Sequence, residues 1–318
     1  MTQMKKIFIN QIKSGQVVDD IFVVRDKQIA YKKNGDPYLT VTLLDKTGEI
    51  KAVAWNRVTD LNDLLTDTTY IKASGKVSEY LGTLQFVVLD INLVSSADVD
   101  PKDFLPATEK DVDKMFNRLK VIIAGSIKEP CLFDLVNNFF SDDHFIRAFK
   151  AAPAGKKMHH AYIGGLLEHT LTMAEMGLAV VEHIKILDRD LLLTGIILHD
   201  IGKIYEYTYE APPIDYSDEG RLLGHITIGA QMLDEQLKKI SNFQFPVPLA
   251  MHLKHLIISH HGAREWGSPE PPKTLEAIAL HNLDMLDTQV AAVKGFLDQH
   301  PEDGWTGYHR IFERHFLK

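Results

Sequence analysis

The sequence predicts a two-domain α+β protein in which a small β-barrel is followed by an all-α domain. Three observations carry this prediction. Strand-like alternation of apolar and polar residues is confined to the first 95 residues, while the later chain shows the longer spacing of amphipathic helices. In addition, all 15 histidines lie at or after His144. We expect the barrel at 1–97, a linker with leading helices at 98–150, and the second domain at 151–318.

The barrel prediction rests on residues 12–94. Residues 38–44 alternate and are rich in β-branched and aromatic side chains, and turn residues flank them at 34–37 and 45–48. Residues 56–65 predict one short helix between strands. Several strands with one interposed helix are typical of an OB-like barrel, and the pattern leaves an SH3-like barrel as the alternative.

The remainder of the chain predicts helices. Residues 98–108, which contain Pro101 and Pro106, predict a linker. Residues 109–150 then carry a helical apolar stripe that includes Met115, Phe116 and Leu119. Further helices should follow almost to the end, with breaks at 164–165, 211–213 and 269–272.

Composition limits the classes of function. The net charge is −8, with +1 in residues 1–95 and −9 in the rest, so binding of nucleic acid needs a local basic groove. The single cysteine, Cys131, excludes an intramolecular disulfide and predicts a reducing, cytoplasmic compartment. No apolar run reaches the roughly 18 residues of a membrane helix, so we expect no membrane partner.

A set of histidines and aspartates predicts a metal site in the second half. Imidazole and carboxylate groups suit first-row divalent metals. Neighbouring residues on a helix point about 100° apart, so His199 and Asp200 can reach one metal only near a helix end, which Gly202 would supply. Each residue also has an ordinary interpretation as a packing, capping or solvated side chain. The candidate ligands are His169, His199, Asp200, His225, His260, His261 and Asp284.

The order of these residues resembles the HD-superfamily phosphohydrolases, including the lysine, Lys203, that follows the His-Asp pair. The wider motifs at 159–170, 223–226, 259–262 and 265–269 resemble the YhaM-type 3′→5′ exoribonucleases. The expected order of domains is also similar. The resemblance implies an N-terminal OB-like β-barrel followed by an all-α HD-superfamily domain.

The resemblance also implies roles for individual residues. His169, His199, Asp200 and Asp284 would hold one divalent ion, and Asp200 would bridge to a second ion held by His225, His260 and His261. Manganese is the first choice, with iron, cobalt, nickel, zinc or magnesium as alternatives. Asp200 and Lys203 would be catalytic, and His160, Arg264 and Ser268 would contact the substrate.

Sites for single-stranded nucleic acid combine aromatic platforms with basic side chains. In the barrel, the candidates for such contacts are Tyr38, Trp55, Tyr80, Phe86, Lys32 and Lys33, together with Lys51 and Lys76. For each aromatic residue the ordinary alternative is the barrel core. For each lysine the ordinary alternative is a solvated position on the surface.

Together these features imply a metal-dependent phosphodiester hydrolase, specifically a 3′→5′ exonuclease that releases nucleoside 5′-monophosphates. Its expected partner is single-stranded RNA, with DNA left open as a second substrate. One alternative is an HD phosphohydrolase acting on mononucleotides or cyclic dinucleotides, and another is a non-catalytic nucleic-acid-binding protein. The sequence leaves open an oligomer, the processivity, and the roles of His252 and His255.

Overall fold

The structure is a computed structural model, and it describes residues 5–65, 70–80, 82–156, 160–240, 244–298, 300 and 302–318. The chain divides into two compact units. The first comprises Met1–Ala107 with Tyr209–Ile214, and the second comprises Thr108–Thr208 with Asp215–Lys318. The first unit is built on strands and the second on helices, which confirms the predicted α+β class. The domain boundaries predicted from the sequence stay a prediction.

The first unit contains a closed barrel of five strands, which are β1 (Val17–Tyr31), β2 (Pro37–Asp45), β3 (Gly48–Ala54), β4 (Tyr70–Tyr80) and β5 (Thr83–Leu93). Their order around the barrel is β1-β2-β3-β5-β4. Strands β3 and β5 are parallel, and the other neighbouring pairs are antiparallel. The expected short helix, α1, spans Val58–Leu64 between β3 and β4.

The barrel core follows from the alternation seen in the sequence. On β2, Leu39, Val41 and Leu43 are buried on one face, as period-2 patterning requires. On β5, Phe86 belongs to the same core and has no exposed surface. Phe86 was predicted as a stacking platform, and this prediction is wrong because a fully buried ring cannot meet a base.

The segment predicted as a linker is ordered and packs within the barrel unit. It contains two short 3₁₀ helices, Ser96–Asp98 and Pro101–Asp103, capped by the side chains of Ser95 and Asp100. Phe104 is buried, and its ring meets Tyr70 edge-on with centroids 5.1 Å apart. The proline-rich segment is therefore part of the packing of the first unit.

The second unit begins with three helices where the sequence predicted one continuous helical stretch. The separate starts have a local cause, since the Asp111, Glu129 and Asp142 side chains each cap the helix that follows. A proline also stands at the first position of the second helix, where its missing N–H costs nothing. These helices are α2 (Val112–Ser126), α3 (Pro130–Phe139) and α4 (Asp143–Ala151).

Six further α-helices and one short 3₁₀ helix, Arg264–Trp266, complete the described part of this unit. The α-helices are α5 (Gly165–His183), α6 (Arg189–Leu198), α7 (Lys203–Glu206), α8 (Asp218–Lys239), α9 (Val247–Ser259) and α10 (Leu275–Asp298). The unit is not purely helical, because β6 (Tyr207–Thr208) and β7 (Asp215–Tyr216) form a small antiparallel hairpin. Residues Leu191–Leu198 of α6 are all buried, so this helix runs through the core. Within the described residues, no helix is long and apolar enough to cross a membrane.

Candidate metal centre and nucleic-acid interface

Asp200 lies at the centre of the histidine cluster in the helical unit. Its Oδ2 atom is 3.4 Å from His199 Nε2 and 3.7 Å from His169 Nε2. Its Oδ1 atom is 3.6 Å from His225 Nε2 and 3.5 Å from His260 Nε2. The two oxygens of one carboxylate therefore face two different groups of histidines.

Each group has the spacing of a cation site. In the first group, His169 Nε2 is 3.3 Å from His199 Nε2 and 3.5 Å from Asp284 Oδ1. In the second group, the Nε2 atoms of His225 and His261 are 3.3 Å apart, and His260 lies within the same cluster. Two ligand atoms bound to one metal at about 2.1 Å lie roughly 3–3.5 Å apart. All seven candidate ligands are thus brought together.

In each of these histidines the other ring nitrogen, Nδ1, is hydrogen-bonded to an acceptor. Neither a carbonyl nor a carboxylate can donate, so each Nδ1–H is the donor, and in the neutral form of each ring Nε2 presents its lone pair to the centre. The acceptors are Asp287 for His169 (2.7 Å), Ile196 O for His199 (2.8 Å), Glu206 for His225 (2.9 Å), Ile257 O for His260 (2.7 Å) and Trp266 O for His261 (2.9 Å).

This arrangement fits divalent cations. Among the described residues, Asp200 Oδ1 and His260 Nε2 are buried without a hydrogen-bond partner, although they lie 3.5 Å apart. Both atoms are acceptors, and a cation is the group that satisfies two facing acceptors. Burial, with the neighbouring His260 and His225, lowers the pKa of His261 to about 3, so its imidazole is neutral and able to ligate.

Lys203 is paired with the central carboxylate. Its Nζ donates to Asp200 Oδ2 at 2.6 Å, and both side chains are buried. Burial disfavours the charged form of both groups, but the charge on each group stabilises the charge on the other. The pKa of Lys203 is raised and that of Asp200 is held well below its usual range. A permanent positive charge therefore lies beside the oxygen that faces His169 and His199.

The local backbone explains how adjacent residues reach one centre. Helix α6 ends at Leu198 and α7 begins at Lys203, so His199 and Asp200 lie in the turn between them, as the sequence predicted. A Cβ on Gly202 would lie 2.1 Å from the carbonyl oxygen of His225. Glycine is required here because this close approach brings His225 up to Asp200.

Two carboxylates beside the centre, Asp287 and Glu206, were not predicted from the sequence. Glu206 Oε1 accepts from both the backbone N–H and Nδ1 of His225, each at 2.9 Å. Asp287 lies three residues after Asp284 on α10, and Glu206 lies three residues after Lys203 on α7. This i, i+3 spacing was the available signal.

The three predicted substrate contacts differ in their surroundings. Arg264 is exposed and pairs with Glu270 at 3.0 Å. Ser268 is 2% exposed and its hydroxyl donates to the carbonyl oxygen of Ile258, so the predicted contact is corrected to a structural role. Both ring nitrogens of His160 have protein partners, Asp287 and the hydroxyl of Tyr162.

In the barrel, part of the predicted aromatic surface is present. The rings of Tyr38 and Trp55 pack with centroids 4.9 Å apart, and Lys32 Nζ lies 5.1 Å from the Trp55 ring. Trp55 is 41% exposed. Tyr80, at the end of β4, is exposed, as is Lys33. Lys51 and Lys76 are also exposed on β3 and β4.

Comparison with known proteins identifies both units and the whole chain. Residues 166–289 match the HD domain model, and residues 23–94 match the model of an OB-fold nucleic acid binding domain. The chain is 33% identical over 287 residues to the 3′-5′ exoribonuclease YhaM of Bacillus subtilis strain 168, covering 90% of this chain and 88% of that protein. This chain belongs to the YhaM family.

A second YhaM family member, the 3′-5′ exoribonuclease YhaM of Bacillus velezensis, is 32% identical over 296 residues, which cover 93% of this chain and 91% of that one. The barrel is also similar to the second OB-fold domain of replication protein A from Methanococcus maripaludis, at 20% identity and a TM-score of 0.23, over 28% of this chain and 95% of that one. The family match confirms the predicted resemblance and the OB-like interpretation of the barrel. The HD domain implies binding of divalent metal.

Proposed function

We propose that the chain is a metal-dependent 3′→5′ exonuclease that hydrolyses single-stranded RNA to nucleoside 5′-monophosphates. The observation that carries the proposal is Asp200, whose two oxygens face two separate groups of imidazoles. A bridging carboxylate between two ligand groups is the arrangement needed to hold a pair of ions for phosphoryl transfer. Membership of the YhaM family supports the same activity.

The proposal includes two ions, with Mn²⁺ as the first choice. His169, His199 and Asp284 would hold one ion, His225, His260 and His261 the other, and Asp200 both. When bound, such ions lower the pKa of a water molecule and withdraw charge from the phosphoryl group. The protein contributes the fixed direction of each Nε2 lone pair, because every Nδ1 is already held.

Lys203 is proposed as a catalytic residue that does not bind metal. A protonated ammonium has no lone pair to donate, and the Asp200 carboxylate raises the pKa of Lys203, which keeps it protonated. Its charge would offset the negative charge that develops on the phosphoryl oxygens. The bond from Nζ to Asp200 Oδ2 fixes the position of that charge before the substrate arrives.

The barrel is proposed to hold the strand. Trp55 and Tyr38 form a half-exposed aromatic pair with Lys32 against it, which combines a stacking platform with a cation. Tyr80 and Lys33 would extend this surface. Stacking on aromatic faces is tolerant of sequence, so we expect the barrel to contribute affinity and little base preference.

A labelled oligonucleotide tests the activity. Purified full-length protein with Mn²⁺ should convert a 5′-labelled single-stranded oligoribonucleotide into a ladder of progressively shorter labelled products. It should release unlabelled nucleoside 5′-monophosphates, because the leaving group is the 3′ hydroxyl of the shortened chain. A strand that ends in a 3′ hairpin should be protected. The Asp200→Asn variant and EDTA serve as controls.

The other outcomes separate the alternatives. Early release of labelled mononucleotide would mean attack from the 5′ end. Intact strands together with rapid hydrolysis of free mononucleotides or cyclic dinucleotides would establish the nucleotide phosphohydrolase. Binding of strands without hydrolysis of any substrate, whichever divalent metal is added, would establish that the chain is a non-catalytic nucleic-acid-binding protein.

A further inference from the structure

One helix contacts both edges of the His169 ring. Asp284 and Asp287 lie three residues apart on α10, so they share a face. Asp284 Oδ1 is 3.5 Å from Nε2 of His169, and Asp287 Oδ2 is 2.7 Å from its Nδ1. The first contact is on the side of the proposed ion and the second is on the opposite side. Asp287 therefore contacts the ring without reaching the ion.

His169 differs from most of the other candidate histidine ligands in the group that accepts the hydrogen bond from its Nδ1. His199, His260 and His261 donate to backbone carbonyls, whereas His169 donates to a carboxylate. In the second group, His225 also donates to a carboxylate, that of Glu206. A carboxylate acceptor makes the imidazole a stronger donor to metal and fixes its tautomer. Each group of ligands thus contains one histidine with this stronger support.

Asp287 is itself held in place by His160. The same Oδ2 atom lies 3.0 Å from His160 Nε2, and the Nδ1 of His160 lies 2.8 Å from the hydroxyl of Tyr162. His160 adopts a left-handed backbone conformation, with φ of 50°, which is uncommon for a residue with a side chain. Its carbonyl oxygen accepts from the backbone N–H groups of Ala154 and Tyr162. The carbonyl group of His160 is therefore held by two hydrogen bonds.

We propose that Asp287 is a positioning residue that fixes the Nδ1–H tautomer and the ring orientation of His169, and that His160 holds Asp287 for this purpose. His160 then acts behind the centre and does not contact the substrate. The inference rests on the proposed role of His169 as a ligand. The experiment must therefore separate failure of the ligand assignment from failure of the positioning role.

Metal affinity in the full-length protein is the primary readout. Mn²⁺ would be titrated by calorimetry into protein stripped with EDTA, for wild type, Asp287→Ala, Asp287→Asn, His160→Ala and His169→Ala. Loss of an outer partner typically costs about 10–100-fold in metal affinity, and we expect this loss for Asp287→Ala. Asp287→Asn should lose less, because its amide oxygen still accepts. His160→Ala should also lose less than Asp287→Ala.

A second readout detects the tautomer without metal. In ¹⁵N-labelled, metal-free protein, the ring nitrogens of His169 should show a protonated Nδ1 in wild type and a mixture of tautomers in Asp287→Ala. Asp298→Ala is the matched control, since Asp298 lies on the same helix and its carboxylate pairs only with exposed Lys294 in the described structure. It should match wild type in both measurements.

The variants distinguish the positioning role of Asp287 from the ligand role of His169. If Asp287→Ala binds Mn²⁺ within twofold of wild type and keeps the Nδ1–H tautomer while His169→Ala loses an ion, the positioning role is refuted and the ligand assignment stands. If His169→Ala also binds as wild type does, the ligand assignment fails and the inference fails with it. Should Asp287→Ala not fold, Asp287→Asn and His160→Ala carry the same comparison, and wild-type affinity in both would refute the role.

Discussion

The metal centre and the aromatic surface of the barrel differ in how firmly the protein fixes their side chains. In the metal centre, His169, His199, His260 and Asp200 are at most 2% exposed, and each imidazole has a partner on its outer nitrogen. On the barrel, Trp55 is 41% exposed and packs against the ring of Tyr38, with Lys32 Nζ 5.1 Å from its own ring.

This difference follows from the chemistry proposed for each region. Stabilising a phosphoryl transition state requires charges and lone pairs that are already in position, since reorganisation during the reaction costs rate. Holding a strand of variable sequence requires faces that stack on any base, and exposed rings serve this purpose. We therefore expect substitutions in the centre to reduce catalysis sharply, and substitutions on the barrel to reduce affinity modestly.

The largest effect is expected from Asp200→Asn. The amide keeps the shape of the side chain but lacks the second anionic oxygen, so it cannot bridge two ions. Because metal assistance is worth several kcal/mol, kcat should fall by about 10³ or more. Metal analysis should show that both ions, or nearly both, are lost. Unchanged metal stoichiometry in folded Asp200→Asn would refute the bridging role.

Lys203→Met sharpens the distinction between ligand and catalytic residue. Removing one preorganised charge from the site should lower kcat by about 10²–10³. Metal content should stay at the wild-type value, measured on the same preparation. Loss of metal along with activity would instead give Lys203 a structural role through its bond to Asp200.

The two regions also differ in how far the sequence predicts them. The candidate ligands could be predicted because few residue types bind first-row metals, and because the His199–Asp200 pair demands a helix end. Asp287 and Glu206 were missed because carboxylates are common and usually solvated. Their significance depends on which histidine the fold brings to them.

For the barrel, the sequence identified the aromatic residues but not the faces they occupy. Phe86 and Trp55 are both aromatic residues of the barrel, yet one is fully buried and the other is exposed. Alternation on β5 offered a signal, since Phe86 shares its face with Val88, which is also buried.

In the helical unit, the β6–β7 hairpin was not predicted, because two-residue strands have no measurable period.

The comparison of Trp55→Ala with Phe86→Leu tests the two faces directly. Stacking is worth about 1–3 kcal/mol per base, so Trp55→Ala should weaken binding of a single-stranded oligonucleotide by about 5–150-fold. Hydrolysis of bis-p-nitrophenyl phosphate should be unchanged. Phe86→Leu should cost about 1–3 kcal/mol of stability and leave the affinity of the folded protein nearly unchanged. The opposite pattern would assign the strand to another surface.

The smallest effect is expected at the barrel lysines, and the dependence of affinity on salt measures it. Each phosphate contact to a single strand contributes about −0.7 to the slope of log K against log salt. Lys33→Gln should therefore make the slope shallower by about 0.7. Lys32→Gln should change it less, because Asp36 Oδ2 lies 3.9 Å from Lys32 Nζ and offsets part of its charge. Lys185→Gln, an exposed lysine on the helical unit, is the control and should leave the slope unchanged. Equal slopes for all three variants and wild type would mean that the strand does not contact these lysines, even if Trp55 proves to stack on a base.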